Sequence, residues 1–416
     1  MSGYRWVIVG ASIVGLSVSV SPIFLNTIPV FLKAIAADTN WSRTQIVAGL
    51  SVATLAITFA SPVIGRLIDA FGPRRVIAYS TAPFALSLAA MRYLDASYAG
   101  YLALAALVGA LGNCVNTFVY LSFMPRWFVN RLGLSLGLAA TGIGVGQTID
   151  PLAASYLLAR YGWRDAFVIL GVATLTVTLI CVAVLRDGPL DARLPQVRTA
   201  QAATYGLDLE DAMRTVVFWR LLVSVFLATA AVTGCTLSMV PLLTDRGLSL
   251  DVAAGMAATA GLAVILGRFA TGLVLDRLGA TAIARAMFVV AAGAIAALAL
   301  GEGRATLYVA VAVIGLALGG EGDVLAFAVR SAFGTRAYGR IYGLLFGAFN
   351  AGVLIGPILM GLSFDRLGSY RPMLTALGVC AIVAAICFPR TSFPEAAAPA
   401  ARDPDLLSQE ARSGHV

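Results

Sequence analysis

The sequence predicts an all-α membrane protein with twelve transmembrane helices in two pseudo-symmetric bundles of six. Of its 416 residues, 59% are apolar and only 12% are charged, and the mean hydropathy is +0.88. Soluble domains carry about twice that share of charged residues. A membrane helix needs about 20 consecutive apolar residues, because each backbone amide must find its hydrogen-bond partner within the helix. The composition therefore indicates a chain that crosses a membrane many times.

A loop motif that occurs twice indicates that the two halves of the chain are copies of each other. The first copy is Gly65-Arg-Leu-Ile-Asp69-Ala-Phe-Gly72-Pro-Arg74-Arg75, and the second begins 207 residues later as Gly272-Leu-Val-Leu-Asp276-Arg277-Leu-Gly279. Each copy follows one long apolar segment and precedes another. Self-similarity at a fixed distance is the sign of a duplicated structural unit.

Twelve apolar runs define the predicted helices. Their bounds are 6–32, 44–67, 75–95, 98–125, 132–158, 163–185, 218–244, 251–276, 281–300, 304–333, 339–365 and 369–389. Charged residues and prolines accumulate between the sixth and seventh runs, and polar residues follow the twelfth. We therefore expect four parts, namely an N-terminal six-helix bundle (1–185), a cytoplasmic linker (186–217), a C-terminal six-helix bundle (218–390) and a disordered cytoplasmic tail (391–416).

The distribution of basic residues predicts the orientation. With the N-terminus inside, 18 of the 29 lysines and arginines fall on the cytoplasmic side, nine fall outside, and Arg268 and Arg330 lie within spans. Positively charged short loops stay in the cytoplasm, so both termini are expected there. The net charge of +8 is explained by this topology and by the anionic leaflet. No basic cluster indicates nucleic-acid binding.

The residue inventory excludes several classes of function. All five cysteines fall in predicted helices, where they act as small apolar residues, and the single histidine, His415, lies in the tail. A histidine-based catalytic site, a metal site and a histidine proton relay are therefore not expected. The chain has no Gly-x-x-x-x-Gly-Lys loop, which argues against ATP-driven transport. We predict no cofactor and no enzymatic activity, and we expect a monomer in the lipid bilayer.

With twelve spans, a long central loop and the duplicated loop motif, the chain resembles the major facilitator superfamily over essentially its whole length. The resemblance implies a secondary transporter in which the acid of this loop locks the cytoplasmic side shut. The candidate gating residues are Asp69, Arg74, Arg75, Asp276 and Arg277. A carboxylate is stabilised at the positive N-terminal end of a helix. The alternative is that these residues only end a helix and set the topology.

Further motifs resemble the monocarboxylate transporter and oxalate/formate antiporter group. They are Trp41-Ser-Arg-Thr-Gln45, the run from Arg126-Trp-Phe to Gly142, Tyr161-Gly-Trp-Arg164, and Gly267-Arg268-Phe-Ala-Thr-Gly272. The resemblance implies that Arg268 binds the substrate carboxylate. Arg268 is unusual without this comparison too, because a charge within a span is costly and normally faces a cavity or a partner. Its planar guanidinium suits a bidentate carboxylate, while a structural ion pair is the alternative.

Other polar residues within the spans complete the candidate site. Asn113, Asn116 and Tyr120 follow helical spacing and are expected to form one polar stripe, which could line a cavity or join helices. Two positions depart from the resembled group, with Asn26 where animal monocarboxylate transporters have a lysine and Asn350 nearest to the position of an expected lysine in an oxalate exchanger. Both are included as candidate substrate-binding residues.

Three acids lie well inside the predicted spans, away from the span ends. Asp150 and Glu321 are the proton-coupling candidates, because burial favours protonation of a carboxylate. Asp323 is expected to form a structural pair with Arg330, since seven residues return almost to the same helix face. Asp150 could instead be a structural acid next to the helix kink at Pro151.

Together these patterns predict a proton-linked secondary transporter of a small organic anion, most simply a monocarboxylate, in a bacterial inner membrane. The alternatives are an exporter of drugs or other amphipathic solutes, and a transporter-like membrane sensor. A cavity arginine is less expected in the exporter, and the short linker and tail argue against the sensor.

Overall fold

The computed structural model describes residues 4–94, 97–128, 131–187, 206–301 and 303–391. Within these residues, eight helical segments are long and apolar enough to cross a membrane. Two of the eight are bent at a glycine with non-helical backbone angles and supply two spans each. Pro73–Ala90 and Arg371–Cys387 complete the set. The described part of the chain therefore contains the twelve predicted membrane helices.

The twelve helices are numbered along the chain. They are α1 (Tyr4–Thr39), α2 (Arg43–Phe71), α3 (Pro73–Ala90), α4 (Tyr98–Trp127), α5 (132–161), α6 (163–184), α7 (216–244), α8 (250–278), α9 (280–300), α10 (Arg304–Phe333), α11 (Tyr338–Leu367) and α12 (Arg371–Cys387). Most ends lie within a few residues of the sequence prediction, and α1 extends seven residues further. The central part of the predicted linker (188–205) and the tail from 392 onwards lie outside the described residues.

Local sequence signals explain several helix ends. Ser42 caps α2 by accepting a hydrogen bond from the Gln45 amide at 3.2 Å, while the Gln45 side chain accepts from the Ser42 amide at 2.9 Å. This is the reciprocal arrangement expected of a Ser-x-x-Gln sequence. α1 is interrupted, with an α-helix to Ser17, a π-helical turn over Ser21–Leu25 and a second α-helix from Ile28. Pro22 and Pro29 supply no amide hydrogen, which explains the interruption.

Glycines at the helix turns repeat between the two halves. Gly72 separates α2 from α3 with φ +80°, and Gly279 separates α8 from α9 with φ +72°. Gly162 separates α5 from α6 with φ +78°, and Gly368 follows α11 with φ +63°. The two members of each pair occupy corresponding positions in the two halves. Positive φ is strained for residues with a Cβ atom. Gly72 and Gly279 of the duplicated motif also have similar ψ angles and form the same turn, whereas Gly162 and Gly368 share only the positive φ.

The hydrophobic core shows how the bundles meet. One cluster of buried residues fills α1–α6 and continues into the halves of α7–α12 nearest to the chain termini, while a second cluster fills the other halves of α7–α12. We call the end of the molecule where α1 begins and α12 ends the termini side. The apolar core is therefore shared between the bundles on the termini side and divided on the opposite side.

Candidate functional site

Asp69 joins the two bundles at the termini side. It lies in the last turn of α2, and its carboxylate accepts hydrogen bonds from the backbone amides of Gly339 at 2.7 Å and Arg340 at 2.8 Å. The Nε atom of Arg340 donates to the same carboxylate at 3.2 Å. These amides belong to the first turn of α11, which has no intrahelical acceptors for them. Asp69 therefore caps a helix of the opposite bundle.

Asp276 makes the equivalent contact from the second half of the chain. It lies near the end of α8 and accepts hydrogen bonds from the amides of Gly133 at 2.7 Å and Leu134 at 3.1 Å, in the first turn of α5. Asp69 and Asp276 occupy the same position of the repeated motif, and the helix ends that they cap also correspond between the two halves. The duplication thus produces two matching inter-bundle contacts.

Glycines allow the helices to approach closely beside both acids. A Cβ atom on Gly65 of α2 would lie 2.2 Å from the carbonyl oxygen of Gly339, and one on Gly343 would lie 2.5 Å from that of Ser61. Where α5 crosses α8, a Cβ atom on Gly272 would lie 3.0 Å from the carbonyl oxygen of Gly133. Small residues let helix backbones touch within a membrane, and here they seal the termini side.

The basic residues of the loop motif do not hold these acids. Arg74 donates from Nε to the carbonyl oxygen of Val182 in its own bundle at 3.1 Å. Arg75 and Arg277 are exposed. The guanidinium on Asp69 belongs to Arg340, which the sequence reasoning missed. The repeat contained a signal for this helix end, because Gly133 and Gly137 recur as Gly339 and Gly343.

Among the described residues, side-chain hydrogen bonds and ion pairs at the opposite side stay within one bundle. Asp38 of α1 pairs with Arg164 of α6, and Arg92 pairs with Asp165. The indole nitrogen of Trp163 donates to Asp38 at 3.1 Å. These contacts fasten the N-terminal bundle without reaching its partner. Together with the divided core, they indicate a conformation that is closed at the termini side and separated at the opposite side.

Arg268 lies on α8 at the interface between the bundles. Its Nη1 atom donates to the carbonyl oxygen of Ala140 on α5 at 3.0 Å, and the residue is half-buried. Of the hydrogen bonds that join the bundles in the described residues, this one lies deepest in the membrane. Gly319 of α10 packs on the Arg268 backbone, since its Cβ atom would lie 2.9 Å from the Arg268 nitrogen.

Asp323 is the acid whose charge acts on Arg268. It lies one turn beyond Gly319 on α10, is only 1% exposed, and interacts electrostatically with Arg268. The Oδ2 atom of Asp323 has no hydrogen-bond donor. The hydroxyl of Tyr342 on α11, which interacts electrostatically with Asp323, is also buried without a hydrogen-bond partner.

The described residues do not contain the expected pair of Asp323 and Arg330. Arg330 donates instead from Nη1 to the carbonyl oxygen of Phe128 at 2.6 Å. Seven residues correspond to about 10 Å along a helix, which separates Asp323 from Arg330.

Glu321 points in a different direction from Asp323. One of its carboxylate oxygens accepts from the hydroxyl of Thr229 on α7 at 3.2 Å, and the other is buried without a donor. Thr229 is therefore the hydrogen-bond partner of Glu321, and no ion pair between Glu321 and Arg268 occurs among the described residues.

Asp150 lies on the face of α5 that packs against the interrupted part of α1. Two turns earlier Gly142 touches the backbone of Ile13, and one turn earlier Gly146 touches Ser17 and Pro22. Asp150 is 6% exposed, and its Oδ2 atom has no donor. The amide nitrogen of the Asn26 side chain, beyond the same interruption, is also buried without an acceptor.

The predicted polar stripe of α4 is divided by the structure. Asn113 donates to the carbonyl oxygen of Ile57 at 3.0 Å and to Ser61 Oγ at 2.9 Å, and Asn116 donates to Asn113 at 3.0 Å. Tyr120 instead lies inside the N-terminal bundle, where its ring fills the space beside Gly15. The helix breaks at Asn116, which is extended (φ −98°, ψ 175°), so the expected spacing does not continue to Tyr120. Asn350 donates to its own helix at the carbonyl oxygen of Phe346, 2.8 Å away.

Two bundles of six membrane helices that meet through capped helix ends are the architecture of a secondary transporter. The Major Facilitator Superfamily profile matches residues 7–357, and the chain belongs to this superfamily. The protein is a multi-pass membrane transporter and not an enzyme.

Similar proteins include transporters from bacteria and animals. The chain is 25% identical over 329 residues to the Escherichia coli (strain K12) MFS-type transporter YhjX, covering 77% of this chain and 80% of the relative. It is 29% identical over 387 residues to monocarboxylate transporter 11 of Mus musculus, covering 88% and 83%. The crystal structure of the human organic anion transporter MFSD10 superposes with a TM-score of 0.73 at 14% identity, over 92% of this chain and 99% of that one. This last similarity concerns the fold alone.

Proposed function

We propose that this protein transports a small organic anion, most simply a monocarboxylate, together with a proton, by alternating access between its two bundles. The observation that carries the proposal is the position of Arg268, the deepest charged contact between the bundles. A guanidinium binds a carboxylate through two parallel hydrogen bonds. The similarity to a monocarboxylate transporter over most of the chain supports the same substrate class.

In the proposed binding step, the substrate carboxylate replaces the Ala140 carbonyl oxygen as the acceptor for Arg268. The replaced contact joins α8 to α5, so substrate binding would break one inter-bundle hydrogen bond at the level of the site. Substrate binding would in this way weaken the contact between the two bundles. Asn113, Asn116 and Asn350 already have hydrogen-bond partners within their own bundles. Asn113 would act by holding α4 against α2. Asn26, whose side-chain nitrogen is buried without an acceptor, remains a candidate for substrate binding.

Proton coupling would follow from the buried acids. A single guanidinium at low dielectric does not neutralise two carboxylates, because the second charge stays uncompensated at a cost of several kcal/mol. If Asp323 and the substrate share Arg268, a proton must therefore accompany the substrate. Asp150 and Glu321 remain proton-coupling candidates, since each has one buried carboxylate oxygen without a donor. Such an oxygen would be more stable if it carried a proton.

The proposed location is a bacterial cytoplasmic membrane, with both termini in the cytoplasm and the protein acting as a monomer. The excess of basic residues on the termini side supports the orientation, and the similarity to an E. coli transporter supports the membrane. In this orientation the contacts of Asp69 and Asp276 would close the cytoplasmic gate, and the described conformation would face outwards.

Uptake into proteoliposomes tests the proposal. Purified protein is reconstituted and offered a panel of labelled mono- and dicarboxylates, with and without an inward pH gradient. We expect saturable monocarboxylate uptake that Arg268→Ala abolishes and Arg268→Lys reduces strongly, because lysine keeps the charge but not the planar fork. Undiminished uptake by a folded, inserted Arg268→Ala protein would contradict the substrate assignment. Failure of that variant to fold, with recovery on adding Asp323→Asn, would identify a structural ion pair.

A further inference from the structure

The last residues of the linker between the bundles are fastened to the C-terminal bundle. Gly206 forms an antiparallel bridge with Gly334, directly after α10, and the Leu207 amide donates to the carbonyl oxygen of Phe333 at 2.9 Å. The side chains of Leu207 and Leu209 pack against the buried core. The short helix Leu209–Arg214 follows and leads into α7. This part of the linker must therefore move with the C-terminal bundle.

A glycine is required for this attachment. Gly206 has φ +135°, and a Cβ atom there would lie 2.2 Å from the carbonyl oxygen of Phe333. A side chain at this position would push the linker away from the turn between α10 and α11. The attachment can thus be loosened by Gly206→Ala without altering any charge.

The attached linker places Asp208 beside the gate. Its Oδ2 atom lies 2.9 Å from Nη2 of Arg336, and its Oδ1 atom lies 3.7 Å from Nη2 of Arg340. Arg340 is also the residue whose Nε atom and backbone amide are held by Asp69 of the N-terminal bundle. Two carboxylates therefore face one guanidinium. One of them leaves when the bundles separate, and the other stays.

We propose that Asp208 is a positioning residue of the gate, which competes with Asp69 for Arg340 and compensates the Arg340 charge once the termini side opens. In the closed form Asp69 holds the closer contact and Asp208 the longer one. When the N-terminal bundle carries Asp69 away, Arg340 keeps Asp208 as its partner and can shorten this longer contact. Asp208 thereby stabilises the open form more than the closed form. Asp69 has the opposite effect.

The two acids must therefore act with opposite sign. Loss of the Asp69 charge favours opening, and loss of the Asp208 charge favours closure. Surface ion pairs contribute about 0.2–1 kcal/mol, so the Asp208 effect should be up to about five-fold in the closed-to-open ratio. A linker acid that only held the chain in place would instead loosen the gate when removed.

Hydrogen–deuterium exchange of the full-length protein in lipid nanodiscs tests this proposal, and it needs no substrate. The reporters are the amides of Gly339 and Arg340, which Asp69 protects, and the amide of Leu207, which reports linker attachment. We expect Asp208→Asn to slow exchange at Gly339 and Arg340 by up to about five-fold, and Asp69→Asn to accelerate it. Asp208→Glu keeps the carboxylate and should retain wild-type exchange at Gly339 and Arg340.

The matched control is Asp211→Asn in the short helix that follows Asp208. The Asp211 carboxylate lies 4.0 Å from Arg214, and its side chain is 57% exposed, against 38% for Asp208. This variant should leave the gate amides unchanged. Gly206→Ala should accelerate exchange at Leu207 and, by withdrawing Asp208, slow it at Gly339. Unchanged or faster exchange at Gly339 and Arg340 in Asp208→Asn would overturn the proposal. That result would leave the substrate assignment untouched, since the experiment does not depend on Arg268.

Discussion

Asp69 of α2 and Asp276 of α8 each cap the first turn of a helix in the opposite bundle, and they do so with the same geometry. Both accept two backbone amides from residues that begin with a glycine, Gly339 in one case and Gly133 in the other. Helix N-termini carry partial positive charge and unpaired amides. A carboxylate there is therefore stabilised only while the two bundles touch. The gate is a pair of equivalent contacts that must break together if the bundles move as rigid bodies.

The first prediction concerns this concerted opening. Asp69→Ala should destabilise the closed end by more than the ~1 kcal/mol of an ordinary cap, because it also removes the Arg340 contact. Exchange should then accelerate not only at Gly339 and Arg340 but also at Gly133 and Leu134, on the other helix pair. Asp276→Ala should give the same pattern with a smaller effect. Acceleration confined to the amides next to the substituted acid would show that the two contacts open independently.

A second prediction concerns the helix crossing beside Asp69. Gly65→Ala places a methyl group 2.2 Å from the carbonyl oxygen of Gly339, so α2 and α11 must separate. Overpacking of this kind costs about 1–3 kcal/mol, which is enough to shift the closed-to-open ratio by about ten-fold. Transport should fall accordingly, with faster exchange at Gly339.

Gly10→Ala is the control for that substitution, because a Cβ atom on Gly10 of α1 meets no atom within 4 Å. Alanine also has the better helix propensity. The uptake and thermal stability of the Gly10→Ala protein should equal or exceed those of the wild type. Equal transport by Gly65→Ala and Gly10→Ala would show that the closed crossing is not required for turnover.

The fold could be predicted from the sequence because membrane insertion imposes a local rule. Each helix satisfies its own backbone, so an apolar run of sufficient length is a helix whatever it packs against. The turns at Gly72 and Gly279 could also be predicted from local sequence, because the two glycines occupy the same position in a repeated motif. For this reason most predicted helix ends lie within a few residues of those in the structure.

The charge partners could not be predicted in this way, because they come from distant parts of the chain. Arg340 reaches Asp69 across 271 residues, and the motif offered the nearer Arg74 and Arg75 instead. Tyr120 was misplaced for another reason. Ideal helical spacing was extended through Asn113–Val115, where the structure has a 3₁₀ turn followed by the extended Asn116. A local departure of this kind turns every later side chain towards a different neighbour.

A third prediction concerns the electrical character of transport. Movement of an anion alone would be opposed by ~2.3 kcal/mol per charge for each 100 mV of membrane potential. With one proton per monovalent anion, no net charge moves. Uptake should rise when the outside is acidified and should not respond to a potential imposed with potassium and valinomycin. Uptake that follows the imposed voltage and ignores the pH difference would contradict coupling to a proton.

The last prediction identifies the coupling acid. Neutralising it to the amide should abolish accumulation driven by a pH gradient and preserve substrate-for-substrate exchange, because exchange needs no net protonation. We expect this separation in one of Asp150→Asn, Glu321→Gln and Asp323→Asn, measured in both transport modes. Asp323→Asn should in addition increase substrate affinity, since Arg268 then loses its internal competitor. Asp150 and Glu321 form no ion pair with Arg268 among the described residues, so their amide variants should leave affinity unchanged. If all three variants still accumulate substrate against its gradient, none of these acids carries the proton, and protonation must occur on the substrate or at another group of the protein.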